Sequence, residues 1–449
     1  MQPERRRSAQ HARVAIVGAG LSGLRVADAL AESSPHAEIL VLETGPFSRR
    51  QHEGRDRCAH PGDARVQCWS ASGSLWGKSS GLKPRVGGRS LCWHGQLLSI
   101  EDYALADWPA VWRERLRLFC NKIVEELAPA SQIDGTPLAD WRHAGLQAVP
   151  QAANLAVDRR GVVRDWCAYS PLDAVHRRTN VRLMPGGAVT KVESTGGVVR
   201  IFQRNRDPLD VDVCVLSAGA IGNVALLARS LEQPLAVPLC DHLCSGAVMA
   251  FHGAAPEVPA MRGEATLLGY LPDPAMRANL FFQELPPVPG GPRAIDAWVL
   301  AEQAPSAAST LVCTPASGDM VAVTIEPLVT NADADRTKGA LGHAVSLMER
   351  VLGSAGEIIE LSEEADAIVH AQQKAGIVAC YERPIGTVDH EACTHSIGSL
   401  CSEDLSVPSL PGVYLNGPGV FPRAGAANPG LTILAVASWL AESLRLRLA

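Results

Sequence analysis

The sequence predicts an α/β protein (α+β overall): a Rossmann-like dinucleotide-binding domain with an inserted antiparallel-sheet substrate domain. Three observations carry this reading. The apolar run Val14–Val17 leads into Gly18, Gly20 and Gly23, spaced as G-x-G-x-x-G. A second strand, glycine turn and helix follow between Val211 and Leu231, and a last strand and helix close the chain after Val413. From Gly246 to Ala379, by contrast, strand-like runs around Ala297–Ala301, Thr310–Cys313 and Val321–Ile325 are separated by turns and proline-rich breaks.

The first unit is the most informative. Val14–Val17 has the unbroken apolar character of a strand buried on both faces of a parallel sheet. Leu21, Leu24, Ala27 and Leu30 recur at helical intervals, and Ile39–Leu42 is a second buried strand that ends at Glu43, twenty residues beyond Gly23. In that setting Gly18 permits the tight turn, Gly20 lets the backbone approach a pyrophosphate, and Gly23 lets helix and strand pack closely. The helix start at Leu21 and Ser22 offers unpaired N–H groups to phosphate. Glu43 suits a ribose diol and repels a 2′-phosphate. This unit alone does not separate FAD from NAD.

Composition sets outer bounds. With 449 residues, 47% hydrophobic and 20% charged, the chain has ample core and an ordinary globular balance. A net charge of −6 and a pI near 6.1 give no reason to expect a nucleic-acid or membrane partner. No apolar run reaches the ~18–20 residues of a membrane helix. Arg5, Arg6 and Arg7 resemble a signal n-region, but the next apolar stretch is the nucleotide strand itself, so a basic tail on a cytoplasmic protein is expected. The twelve cysteines show no C-x-x-C and no paired His/Cys spacing, so reduced thiols and no metal site are expected.

Taken in order, the chain loses periodicity between Thr44 and Arg89, where Trp69 and Trp76 are embedded among Gly, Ser, Arg and His. So long a stretch inside a compact domain is usually functional. It closes on Gly87-Gly88, a second place for close backbone approach. Trp108–Leu127 reads as a helix with Val111, Leu116, Phe119, Ile123 and Leu127 on one side, Asp107 as its cap and Pro109 in its first turn. Val181–Leu183, Ala188–Val192, Val198–Phe202 and Val211–Leu216 read as strands, and Asn331–Val351 as a helix. Asn428-Pro429 is expected to cap and open a final helix from Leu431 to about Leu444. The expected division is 11–105, 176–245 and 401–449 for the nucleotide domain, with 106–175 and 246–400 forming the substrate part.

At four separated places, in the right order, the chain resembles the glucose-methanol-choline (GMC) oxidoreductase family. These are the N-terminal unit, the loop Gly87-Gly88-Arg89-Ser90, the turn Ser217-Ala218-Gly219-Ala220-Ile221 with Asp241-His242 downstream, and the C-terminal block. That block runs from Asp389-His390-Glu391 through Asn416-Gly417 to Ala427-Asn428-Pro429-Gly430-Leu431-Thr432. The resemblance implies FAD. It implies that Gly18, Gly20 and Gly23 hold the pyrophosphate, Glu43 the adenosine ribose, and that Val189 lies near the adenine. Gly87, Gly88 and Ser90, with Trp93 and His94, would run beside the flavin, Ala218 and Gly219 would line the cofactor, and Asn416 and Gly417 would sit near the pyrophosphate and ribityl chain. Pro429, Leu431 and Thr432 would bring a helix start to the flavin pyrimidine ring.

The resemblance also implies the chemistry. His390 stands at the family's active-site histidine and Asn428 at its partner, which suits oxidation of an alcohol by proton removal and hydride transfer to flavin N5. His242 and His395 read as structural. Cys92 stands where some relatives attach FAD through a histidine, so noncovalent FAD is expected. The competing reading is an FAD- or NAD(P)H-linked monooxygenase or reductase sharing the N-terminal unit, and a third is a flavoprotein with no enzymatic role. The expected partners are a small-molecule alcohol and oxygen or another electron acceptor. By analogy the alcohol is a sugar or aminocyclitol hydroxyl of an antibiotic pathway. Oligomeric state is not legible.

Overall fold

The computed structural model describes residues 13–48, 83–128, 139–157, 163–252, 266–286 and 288–448. The basic tail, with Arg5 to Arg7, and the middle of the aperiodic stretch, with Trp69 and Trp76, lie outside the described residues.

Strands that are apolar at every position need cover on both faces, and the central parallel sheet supplies that setting. Strand β1 (Arg13–Val17) lies in the middle, helix α1 (Leu21–Ser33) follows, and β2 (Glu38–Leu42) pairs with β1 in parallel. Val181–Met184 extends the sheet beyond β2, and Val213–Leu216 then Val413–Leu415 extend it on the other side, all in parallel. Strands from both ends of the chain therefore belong to one sheet. Helix α1 packs on the C-terminal helix Gly430–Leu448, which also packs on the helix Ala110–Leu127. Arg25 ties the three: its guanidinium donates to both Glu126 oxygens at 2.8 and 2.7 Å and to Ser438 Oγ at 2.8 Å.

Two local expectations change here. The helix Ala110–Leu127 starts later than its sequence suggests, with Pro109 in extended backbone at the cap position. Asp107 does not cap it but pairs with Arg423 at 3.0 Å. Its buried face is Trp112, Leu116, Phe119, Cys120, Ile123 and Leu127, whereas Val111 is exposed. The Trp112 ring meets Trp439 edge-on at 4.6 Å, and an indole buries far more apolar area than a valine.

The second sheet has six strands, in the order Thr266–Asp273, Ala278–Glu284, Arg293–Glu302, His242–Phe251, Ile377–Arg383 and Glu357–Leu361. Its pairs are antiparallel except the last, which is parallel. Helix Asn331–Leu352 packs on it, opened by a capping box between Thr330 and Asp333 and stopped at Gly353 in the left-handed region. The strands Thr310–Pro315 and Val321–Glu326 do not join this sheet. With Leu235–Pro238 they form a separate antiparallel sheet against helix Gly219–Ser230. Alternation explains it: Leu311, Cys313, Val323 and Ile325 are buried, a single apolar face that a helix can cover.

Candidate active site

One end of the site is built from backbone. Gly18 adopts φ +106°, and a Cβ there would lie 2.4 Å from the Ser217 carbonyl oxygen. At Gly23 a Cβ would lie 2.0 Å from the Gly18 carbonyl oxygen, so strand, turn and helix interlock only without side chains. Gly20, which opens α1, differs: a Cβ there meets nothing within 4 Å. The second glycine loop lies directly over it. Gly87 N–H donates to the Ala19 carbonyl at 2.8 Å, and a Cβ on Gly88 would come within 3.0 Å of the Gly20 Cα. Ser90 turns inward, donating to the Gly87 carbonyl at 2.7 Å and sharing a hydrogen bond with Ser170 at 2.7 Å.

Glu43 closes this end. It accepts N–H bonds from Ala19 and Gly45, each at 2.9 Å, yet burial pushes its carboxyl up to about 7. With the Thr44 N–H also bonded to the carboxyl, one lone pair is left for a hydroxyl donor.

The other end is built from side chains. His390 and Asn428 both line the same cavity of about 520 Å³ that Gly18, Gly20 and Glu43 line. Burial holds the His390 pKa well below the ordinary histidine value, with His242, Arg89 and His94 adding to the shift, so the ring is neutral near pH 7. Arg89, from the second glycine loop, reaches the histidine segment. It donates to the Asp389 carbonyl at 2.8 Å and grips both Glu391 oxygens. Asp389 itself has φ +62°, and Cys393 φ +66°. Two non-glycine residues in the left-handed region flank the histidine, and such strain collects at functional sites. His242 Nδ1 lies 2.7 Å from His390 Nδ1. The six-stranded sheet contributes Cys244, Trp298 and Leu300, and Trp298 stacks between Phe281 at 5.0 Å and His94 at 6.3 Å.

Most residues singled out from the sequence meet in this cavity. Gly18, Gly20, Leu21, Ser22, Glu43, Gly88, Ser90, Trp93, His94, Val189, Ala218, Gly219, His390, Asn428 and Pro429 line it. Gly23, Gly87, Asn416, Gly417, Leu431 and Thr432 stand behind the wall. Asn416 is fully buried and clasps the first unit to the second, donating to the Ser22 carbonyl and to Ser217 Oγ, each at 3.2 Å. Sequence reasoning missed Arg89 and Glu391 as partners, Trp298 and Leu300, and the contact that makes His242 more than scaffold. Spacing carries no signal for these, because they pair across chain separations of about 150 to 300 residues.

Two expectations are corrected. Asn428 is not a helix cap: the helix begins at Gly430, and the buried Asn428 Oδ1 has no hydrogen-bond partner. The cysteines are not all reduced, since Cys92 is disulfide-bonded, with its partner outside the described residues. That sulfur has no thiol left for a flavin bond. His395 lies away from the cavity lining and is fully buried, hydrogen-bonded to Thr394 and Asn223.

A parallel-sheet cradle with open glycines at one end and a neutral histidine at the other is the arrangement of a dinucleotide-cofactor site. Residues 313–437 match the family model described as GMC oxidoreductase. Over 96% of the chain the fold is similar to pyridoxine 4-oxidase from Mesorbium loti, at a TM-score of 0.61 and 16% identity, covering 99% of that chain. An FAD-dependent oxidoreductase from Chaetomium thermophilum is similar over 97% of this chain and 99% of its own, with a TM-score of 0.63 and 17% identity. The chain matches no curated protein sequence. The family-model match over residues 313–437, together with the shared fold, supports a GMC-type oxidoreductase with FAD as its cofactor. The residues present fit that cofactor. Gly20 and Gly219 face the cavity with nothing within 4 Å of a would-be Cβ, and the cavity runs unbroken from Glu43 and Val189 to His390 and Asn428. Among the described residues no helix is long and apolar enough to cross a membrane.

Proposed function

We propose that the protein oxidises a CH–OH group of a small-molecule alcohol to an aldehyde or ketone. The observation that carries this is the neutral His390 on the wall of the cofactor cavity, which Asn428 also lines. Gly18 and Gly20, with Gly23 closing the turn behind them, would hold the pyrophosphate, Glu43 the ribose and Val189 the adenine end, which leaves the part of the cavity lined by His390 and Asn428 for the flavin. Bound FAD supplies the hydride acceptor, its N5 atom. His390 takes the hydroxyl proton as the carbinol C–H bond yields its hydride and the C=O bond forms. Asn428, through its amide Nδ2–H, donates to the same oxygen and holds the carbon in line. Arg89 fixes the loop that carries His390 through Asp389 and Glu391. Oxygen or another acceptor then takes the electrons, and FAD stays noncovalent.

Trp298, Leu300, Cys244 and Val388 give the substrate end an apolar wall with one large aromatic face, which favours an alcohol with a flat apolar portion. Anaerobic bleaching of the yellow enzyme by a panel of aryl alcohols, sugars and aminocyclitols of antibiotic pathways tests this. Aryl alcohols should bleach it fastest, and bleaching by none of the three classes removes the CH–OH reading. His390→Ala should slow flavin reduction ~10²–10⁴-fold while FAD content stays near wild type. A rate within a few-fold of wild type takes His390 out of the mechanism.

A further inference from the structure

The two histidines face each other because of strand register. Cys240 and Ala392 form an isolated antiparallel bridge, exchanging N–H bonds at 3.1 and 2.8 Å. Two residues further along each segment, that register sets His242 opposite His390. Asp241 Oδ1 ties the segments again, accepting N–H bonds from His242 at 2.7 Å and from His390 at 3.2 Å. The rings stand nearly perpendicular, at 87°, with their Nδ1 atoms 2.7 Å apart.

One proton assignment follows from what surrounds them. His242 Nε2 lies 2.9 Å from the Gly425 carbonyl oxygen, which can only accept, so His242 carries its proton on Nε2. Burial pushes the His242 pKa down to about 4, so the ring is neutral near pH 7 and its Nδ1 is a bare acceptor. His390 Nδ1 must then be the donor of the shared bond. The neutral His390 ring has only one proton, and its Nε2 is left with a free lone pair.

We infer that His242 is a positioning residue that fixes the tautomer of His390, so that the Gly425 carbonyl, acting through His242, keeps His390 Nε2 unprotonated as the base. The role rests on the reading of His390 as the base. It differs from a scaffold role in one respect: it dictates which nitrogen holds the proton. In solution a neutral imidazole is free to place its proton on either nitrogen, and a proton on Nε2 would leave nothing there to receive the hydroxyl proton.

The anchor at the far end is firm. Gly425 adopts φ +74°, and a Cβ there would lie 2.3 Å from Glu101 Oε2. That carboxylate accepts from Ala426 N–H at 3.0 Å and, through its other oxygen, from Asn279 Nδ2 at 2.9 Å. The carbonyl is thus aimed at His242 by the half-buried Glu101 carboxylate on a separate segment. A three-part chain results: a fixed acceptor, a neutral ring that passes on the polarity, and the base.

Two variants separate this role from packing. His242→Gln keeps an amide whose oxygen accepts from His390 Nδ1–H and whose nitrogen donates to Gly425, spaced much as the two ring nitrogens are. His242→Leu fills similar space with neither. The holoenzyme labelled with ¹⁵N-histidine, with the His390 signals identified by their loss in His390→Gln, reports the tautomer directly by NMR. The expected result is a wild-type His390 protonated at Nδ1 and bare at Nε2, kept in His242→Gln and lost in His242→Leu. With the panel alcohol that bleaches wild type fastest, His242→Leu should slow reduction about 10²-fold at unchanged FAD content, and His242→Gln should restore most of it. A wild-type His390 carrying its proton on Nε2 overturns the inference without any variant. So does a His242→Leu rate equal to wild type while His390→Ala is slow. A fast His390→Ala enzyme is a different failure, which removes the base itself and not the proton assignment.

Discussion

The two ends of the cavity are made by different means. The nucleotide end is a matter of backbone: Gly18, Gly23 and Gly88 let main chain approach main chain, Gly20 leaves open space, and Glu43 is held by N–H groups. The reaction end is a matter of side chains from remote segments, with His390 set by His242, and the loop around it by Arg89. A backbone site is intolerant of added atoms, whereas a side-chain site is intolerant of lost partners. The contrast predicts opposite responses to substitution, and three variants test it.

Gly23→Ala should have the largest effect on the nucleotide end. In an exposed helix Ala is favoured over Gly by about 1 kcal/mol. Here its Cβ would lie 2.0 Å from a carbonyl oxygen of the turn and 3.1 Å from Ser217 Cβ, and neither is a flexible chain end. Overpacking of this kind costs about 1–3 kcal/mol, so the net sign should reverse. Lower thermal stability with reduced FAD occupancy is the expected result. A variant more stable than wild type would show that the close approach is not what the glycine serves.

Glu43→Gln should show a smaller, pH-dependent effect. Burial raises the Glu43 pKa from 4.5 to about 7, so between those values the folded apoprotein binds a proton that the unfolded chain has released. Apoprotein stability should therefore fall as pH rises through that window, by on the order of a few kcal/mol, and hold steady below it. Gln does not titrate, so the difference in melting temperature between wild type and variant should shift in favour of the variant from pH 5 to pH 8. A difference that does not change with pH would mean that Glu43 is ionised throughout, its N–H bonds outweighing burial.

The same contrast explains what could be read in advance. Backbone sites need glycines at fixed short spacings, so Gly18, Gly20, Gly23 and the strands around them were legible from residues alone, as was the parallel sheet they build. His390 and Asn428 were legible only through resemblance, because a lone histidine in a loop has no spacing to identify it. Arg89–Glu391 and His242–His390 were not legible at all, since each pairs residues that only the tertiary register brings together. The phase of the helix Ala110–Leu127 was misread at one position for a related reason. Val111 and Trp112 both fit an apolar stripe, and only Trp439, more than 300 residues away, decides between them.

Asn428→Ala makes the last and smallest stability test. As a helix cap, Asn428 would contribute about 0.5–2 kcal/mol, and its loss would be seen in any unfolding measurement. The geometry says otherwise, because Oδ1 is buried without a partner and the helix begins at Gly430. A buried oxygen with no donor lowers stability, so removing it should leave the apoprotein unchanged or slightly more stable, within about 0.5 kcal/mol. Activity should respond in the opposite direction. If the Asn428 amide is reserved for the substrate, flavin reduction should slow about 10-fold or more, with most of the loss in the reduction step. Denaturant unfolding of the apoprotein beside anaerobic reduction of the FAD-loaded enzyme gives both numbers from one preparation. A clear loss of stability with an unchanged reduction rate would return Asn428 to the role of a cap.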